Sequence, residues 1–257
     1  MKKLYQKSEL GFALVWIGMY VAVMNIALRF CHGFDHLESK TVAQLLVPVG
    51  CITVLAVAAT VWISRNRLHK RFGLCPFRGK AADYVWFVPL VLMSCTNLKN
   101  GLVLQAPLGV SLLMMANLAL GGYVEELIFR GFLFRAMEKD GLKSAVIVSA
   151  VTFGVGHIVN LANTADVMAV VLQVCYAVAI GFLYTVIAYR GGSLLPCILS
   201  HMFVNGTSVF AREHGPFTQL LTAVFGPGGA ALEQSVSALG IIVLSGGYAL
   251  WLWKKKE

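Results

Sequence analysis

Charge is what this sequence has least of. Asp, Glu, Lys and Arg make up 13% of its 257 residues, against roughly 25% in a soluble globular chain. A protein covered so thinly with charge is not built to face water on every side. Acids are the scarcer sign, 12 against 21 Lys and Arg, which leaves a formal net charge of +9. That excess does not form a nucleic-acid-binding face. Lys2, Lys3 and Lys7 precede the first apolar run, Arg65, Arg67, Lys70, Arg71, Arg78 and Lys80 fill the second connection, and Lys254, Lys255 and Lys256 follow the last run. This is the positive-inside pattern, and it accounts for the charge without any DNA or RNA partner.

Other absences narrow the class further. The cysteines at 31, 51, 75, 95, 175 and 197 include no C-x-x-C pair and lie mostly in apolar segments, so neither a disulfide framework nor a zinc cluster is expected. No clear small-residue cleavage site follows the basic start, so the first apolar run reads as a retained span. No period of 20–50 residues repeats and no low-complexity linker divides the chain, so one membrane domain over 1–257 is expected.

What is there is hydrophobic, 58% of the chain, and it comes in blocks long enough to cross a bilayer, for which a helix needs about 20 residues. Candidate spans run near 10–30, 42–64, 82–98, 101–122 continuing to about 134, 144–162, 166–189, 193–210 and 236–253. The expected fold is an all-α polytopic bundle of about eight transmembrane helices around a polar intramembrane cavity. An even number of crossings puts both termini on the cytoplasmic side of a cell membrane, in a chain that reads as bacterial. Of the basic residues, only Arg29, Lys40, Lys99 and Arg212 then fall on the outer side. The stretch 101–134 is too long for one simple crossing. Either 101–111 is re-entrant or interfacial ahead of a span, or one long helix emerges into the cytoplasm. The outer connection 211–235, with "HGPF" and "GPGG", is expected to be irregular.

Three ionisable groups stand inside the apolar stretch "GGYVEELIFRGFLFR" at 121–135. A charge at mid-bilayer costs roughly 2.5–3.5 kcal/mol on insertion scales, so such groups face a protein interior or a wet cavity. Glu126 and Arg130 are four apart with the acid first, the favourable order for a pair on one helix face. Glu125 is turned about 100° away, which leaves it free of that pair. Gly121 and Asn117 continue the Glu125 stripe, with room for a water beside the carboxylate. "TFGVGH" sets Phe153 and His157 on one face, with Gly154 and Gly156 permitting a close neighbour. "SHMFVN" does the same for His201 and Asn205, and Ser208 extends the stripe. Singly, each is more often an interhelical hydrogen bond than a catalytic group. Together, a Glu, two His and an Asn on three helices supply a general base and donors for an oxyanion.

In order and spacing, Glu125-Glu126-x-x-x-Arg130, Phe153-x-x-x-His157 and His201-x-x-x-Asn205 resemble the signature of the CPBP intramembrane proteases, also called the CAAX-protease or Abi bacteriocin-processing family. The resemblance spans roughly 82–210, a CPBP-like catalytic core. It implies an intramembrane endopeptidase that hydrolyses a peptide bond of a membrane-associated peptide or protein. By the family pattern Glu125 activates water with His157 assisting, His201 and Asn205 hold the oxyanion, and Glu126, Arg130 and Phe153 support the site.

Family members are often labelled metalloproteases, and Glu125, His157 and His201 would be the zinc ligands if a metal were used. The sequence has no H-E-x-x-H helix, and Asn205 is a poor zinc ligand but a good oxyanion donor, so metal-independent glutamate catalysis is favoured. His32, Asp35 and His36 in the first outer loop read as solvated rather than metal-binding. Two rivals stand beside the protease. One is a non-catalytic bacteriocin-immunity or scaffold protein that uses the same cavity for binding. The other is a transporter, weakened by the lack of paired broken helices.

Overall fold

The computed structural model describes residues 1–31, 37–162 and 166–255. The elements in chain order are α1 (Lys2–Lys7), α2 (Glu9–Cys31), α3 (Val42–Arg65), α4 (Val88–Ser94), α5 (Leu108–Glu126), a π-helical segment (Leu127–Phe134), α6 (Arg135–Met137), α7 (Leu142–Gly156), α8 (Val167–Gly191), α9 (Leu195–Ser208), α10 (Pro216–Phe225) and α11 (Gly229–Lys254). Among the described residues there is no strand, only an isolated antiparallel bridge between Leu102 and Ala211. Helices are the expected outcome for apolar segments that must satisfy every backbone N–H and C=O internally.

Seven helical stretches among the described residues are long and apolar enough to cross a bilayer. They make this a multi-pass membrane protein. The remaining member of the expected set, α9, is helical but only 14 residues long, short of the roughly 20 that a simple crossing takes. It packs against α5 and α4 within the bundle.

Three other expectations change. The long stretch resolves as continuous helix over Leu108–Met137; residues 101–107 precede it as extended chain, held to 210–212 by Val103 N–H to the Phe210 carbonyl at 2.8 Å and Arg212 N–H to the Gly101 carbonyl at 3.1 Å. The connection 211–235 is not irregular throughout, because it contains α10 and the first turns of α11. Pro216 pre-sets the first turn of α10, and the Thr218 hydroxyl accepts from the Gly215 N–H at 3.1 Å. The span at 82–98 is a 3₁₀ segment, then α4, then a second 3₁₀ turn, rather than one α-helix. His32, Asp35 and His36 lie outside the described residues. The five cysteines with described side chains, Cys51, Cys75, Cys95, Cys175 and Cys197, are free thiols.

Both ends of the chain gather at one end of the bundle. There Arg71 reaches Glu9 at 3.0 Å and Glu138 at 2.6 Å, tying the start of α2 to the end of the longest helix. Arg190 donates to the Lys255 carbonyl at 2.6 Å, and Leu194 N–H donates to the Gly73 carbonyl at 2.8 Å. The opposite end is closed by a polar knot: Glu233 accepts from Asn100 at 2.7 Å and from Thr218 at 2.5 Å, and pairs with Lys99 at 3.2 Å.

Small residues set how closely the helices approach. A Cβ on Gly154 would overlap Val178 Cγ2 and stand 2.8 Å from the Val178 nitrogen, so α7 and α8 touch backbone to backbone there. Gly156, by contrast, has nothing within 4 Å and permits no close contact. Gly154→Ala is therefore expected to lower stability by about 1–3 kcal/mol or more, since it overpacks a closed interface. Thermal unfolding of the detergent-purified protein reads this. Gly121→Ala, whose Cβ would meet nothing within 4 Å, should melt as the wild type does.

Candidate active site

The site is built on the longest helix, where it changes pitch. Over Leu127–Phe134 the backbone is π-helical, a form rare in general and frequent at functional sites. Wider winding leaves carbonyls in need of partners, and the Ser149 hydroxyl on α7 donates to that of Phe129 at 2.9 Å. Glu125 and Glu126 are the last two residues before the change of pitch.

Glu126 and Arg130 form the pair their spacing predicts. Arg130 Nη1 lies 3.0 Å from Glu126 Oε1, and both side chains are fully buried. The same oxygen is 2.9 Å from His201 Nδ1, so Glu126 also accepts from the imidazole. The Arg130 guanidinium lies over the Phe153 ring, 4.1 Å from its centroid, and 5.7 Å from that of Tyr184. A desolvated cation over an aromatic face gains about 2 kcal/mol or more. That matters here, because Arg130 Nε and Nη2 have no hydrogen-bond partner among the described residues.

Glu125 sits differently. Among the described residues no hydrogen bond or ion pair joins it to Arg130, and its side chain is 16% exposed, whereas that of Glu126 is sealed. It is not partnerless, however: the Tyr20 hydroxyl, from α2, donates to Glu125 Oε1. Glu125 Oε2 lies 3.5 Å from His201 Nε2. One imidazole thus stands between the twin carboxylates, one ring nitrogen toward each. One turn back, Gly121 is buried and a Cβ there would meet nothing within 4 Å. Asn117, another turn back, is 1% exposed, and neither amide atom has a partner among the described residues. The stripe thus leaves open space at Gly121, one turn before Glu125.

His201 is placed by contacts on every side. A Cβ on Gly122 would stand 3.2 Å from its ring, so glycine lets α9 close on α5. The preceding residue, Ser200, accepts from the Tyr184 hydroxyl at 3.0 Å and donates to the Leu90 carbonyl at 3.2 Å. This ties α9 to α8 and α4.

His157 and Asn205 join the cluster less directly. His157 caps α7 where the helix gives way to a 3₁₀ turn, and its Nδ1 is 3.0 Å from the Phe153 carbonyl. Its ring meets the Phe153 ring edge-on at 5.0 Å, and Phe153 meets His201 in the same way at 5.7 Å. Phe153 is therefore the partition between the two imidazoles. Asn205 is one turn beyond His201, with Nδ2 3.4 Å from the Leu118 carbonyl. Among the described residues no hydrogen bond links His157 or Asn205 to Glu125.

Among the described residues no three His, Cys, Asp or Glu side chains converge closely enough to hold a metal ion. The candidate set Glu125, His157 and His201 does not fit one. Phe153 stands between its histidines.

Tyr20 is the residue the sequence reading missed. Its signal was position: tyrosine in membrane proteins favours the two interfaces, yet Tyr20 falls in the middle of the apolar run 10–30. No curated protein and no solved structure matches the chain. Residues 107–207, which hold all three motifs, match the family model described as Rce1-like, Type II CAAX prenyl endopeptidase Rce1-like. The family that the motifs resemble is the family whose model matches, over this segment of the chain.

Proposed function

We propose that the protein is an intramembrane endopeptidase in which Glu125 activates the water that cleaves a peptide bond. The observation that carries this reading is the contrast between neighbours: Glu126 is consumed by Arg130 and His201, while Glu125 keeps a partly exposed carboxylate one turn from the open space at Gly121. In the reaction, Glu125 takes a proton from water as the water oxygen bonds to the scissile carbonyl carbon. The carbonyl electron pair moves onto oxygen, where His201 and Asn205 donate hydrogen bonds to it. The C–N bond then breaks, and the amine leaves with the proton held by Glu125. His201 donates in this step from Nε2, the nitrogen on the Glu125 side, when that atom carries a proton. His157, with Nδ1 committed to the Phe153 carbonyl, offers Nε2 as an assisting base.

The catalytic core is placed at 82–210. The bilayer holds a peptide or membrane-protein substrate beside it, and no nucleic acid takes part. The lysine-rich end of the bundle faces the cytoplasm of a bacterial cell membrane. A zinc ion is not required: a chelator-treated, metal-free preparation is expected to keep its full rate, and activity restored only by added zinc would overturn that. The test of the reading itself compares peptides released from membranes carrying wild type and Glu125→Gln. At least one product should depend on Glu125. Identical peptide profiles would leave only the binding role.

A further inference from the structure

We infer that Tyr20 is a positioning residue for Glu125, so that the N-terminal helix α2 completes the site. This deepens the reading of Glu125 as the water-activating base and rests on it. Tyr20 lies outside the matched segment 107–207 and outside the core at 82–210. Phe12, Trp16 and Tyr20 recur every fourth residue and so share one face of α2. The first two pack against Phe132 of the π segment, with ring centroids 5.1 and 5.7 Å away. That packing delivers the Tyr20 hydroxyl to Glu125 Oε1.

The consequence is directional. A carboxylate free at both oxygens turns about its last bond, and only some orientations present a lone pair to a water. With Oε1 held by the phenol, Oε2 alone is left to face His201 Nε2, 3.5 Å away. The ionisable groups about Glu125 are Tyr20 from α2, His201 from α9, Glu126 with Arg130 on its own helix, and His157 beyond the Phe153 ring on α7. Of these, Tyr20 alone donates a hydrogen bond to Oε1.

The experiment uses the full chain in detergent or bilayer, with the Glu125-dependent peptide product as the readout and Tyr20→Phe as the variant. Only an oxygen atom is removed, so the helix face and its ring contacts remain. Loss of a hydrogen bond to a charged group is expected to lower kcat by roughly tenfold or more, with KM within about twofold and the protein still folded. A purely structural role for the hydroxyl would instead lower the melting temperature and leave kcat per folded molecule intact, and that result would overturn the inference. So would an unchanged kcat. If a Glu125-dependent product exists and Tyr20→Phe makes it at the wild-type rate, the positioning role falls while the protease stands. If Glu125→Gln makes every product, the protease reading falls, and this inference with it.

Discussion

Glu125→Gln is expected to reduce turnover by about 10²–10⁴-fold, the usual share of a general base, with the protein still folded and inserted. The amide is nearly isosteric, keeps an oxygen for the Tyr20 hydroxyl, and cannot accept a proton from water. Stability is spared because, among the described residues, the carboxylate forms no ion pair with Arg130 and is 16% exposed. Initial rates on the Glu125-dependent peptide, together with a melting curve, separate the two quantities. A variant that is inactive because it is unfolded would contradict the expectation as firmly as one that is fully active.

The adjacent acid behaves in the opposite way. Arg130→Met is expected to cost about 3–5 kcal/mol of stability, the penalty for leaving one member of a buried pair without its partner. The stranded group is Glu126, whose side chain has no exposure and whose Oε2 already has no hydrogen bond among the described residues. Glu126→Gln should be similarly harmful, because it strands Arg130 against the Phe153 ring. Replacing both, as in Glu126→Leu with Arg130→Met, should cost less than the sum of the single changes, because neither leaves a buried charge behind. Thermal or denaturant unfolding in micelles measures all four proteins. Equal stability across the set would show that the pair carries no structural weight.

The sequence made the bundle legible because lipid imposes one rule, and the apolar runs obey it. It was also enough to pair Glu126 with Arg130, since an interval of four residues is local geometry. The misses have different physical causes. Tyr20 meets Glu125 across 105 residues, a distance no periodicity spans, and helix-in-loop α10 depends on Pro216 and Thr218 acting together at 216–218. The irregular winding at Leu127–Phe134 was equally hidden, because an apolar run reads the same whether each N–H reaches back four residues or five. His157 and Asn205 fall on the expected faces, yet their distance from Glu125 is decided by Phe153 and by the packing of α9 on α5.

That loosened winding also bears on how the chain tolerates a change of length. Deleting one residue from an ordinary α-helix swings everything beyond it by about 100° and throws a buried face toward lipid. Within Leu127–Phe134 the spiral holds slack, and a lost residue can be absorbed by tightening to the normal pitch. The segment from Arg135 onward, with its 2.7 Å pair to Glu138, would keep its bearing. The longest helix thus carries its own expansion joint, next to the residues that can least afford to turn.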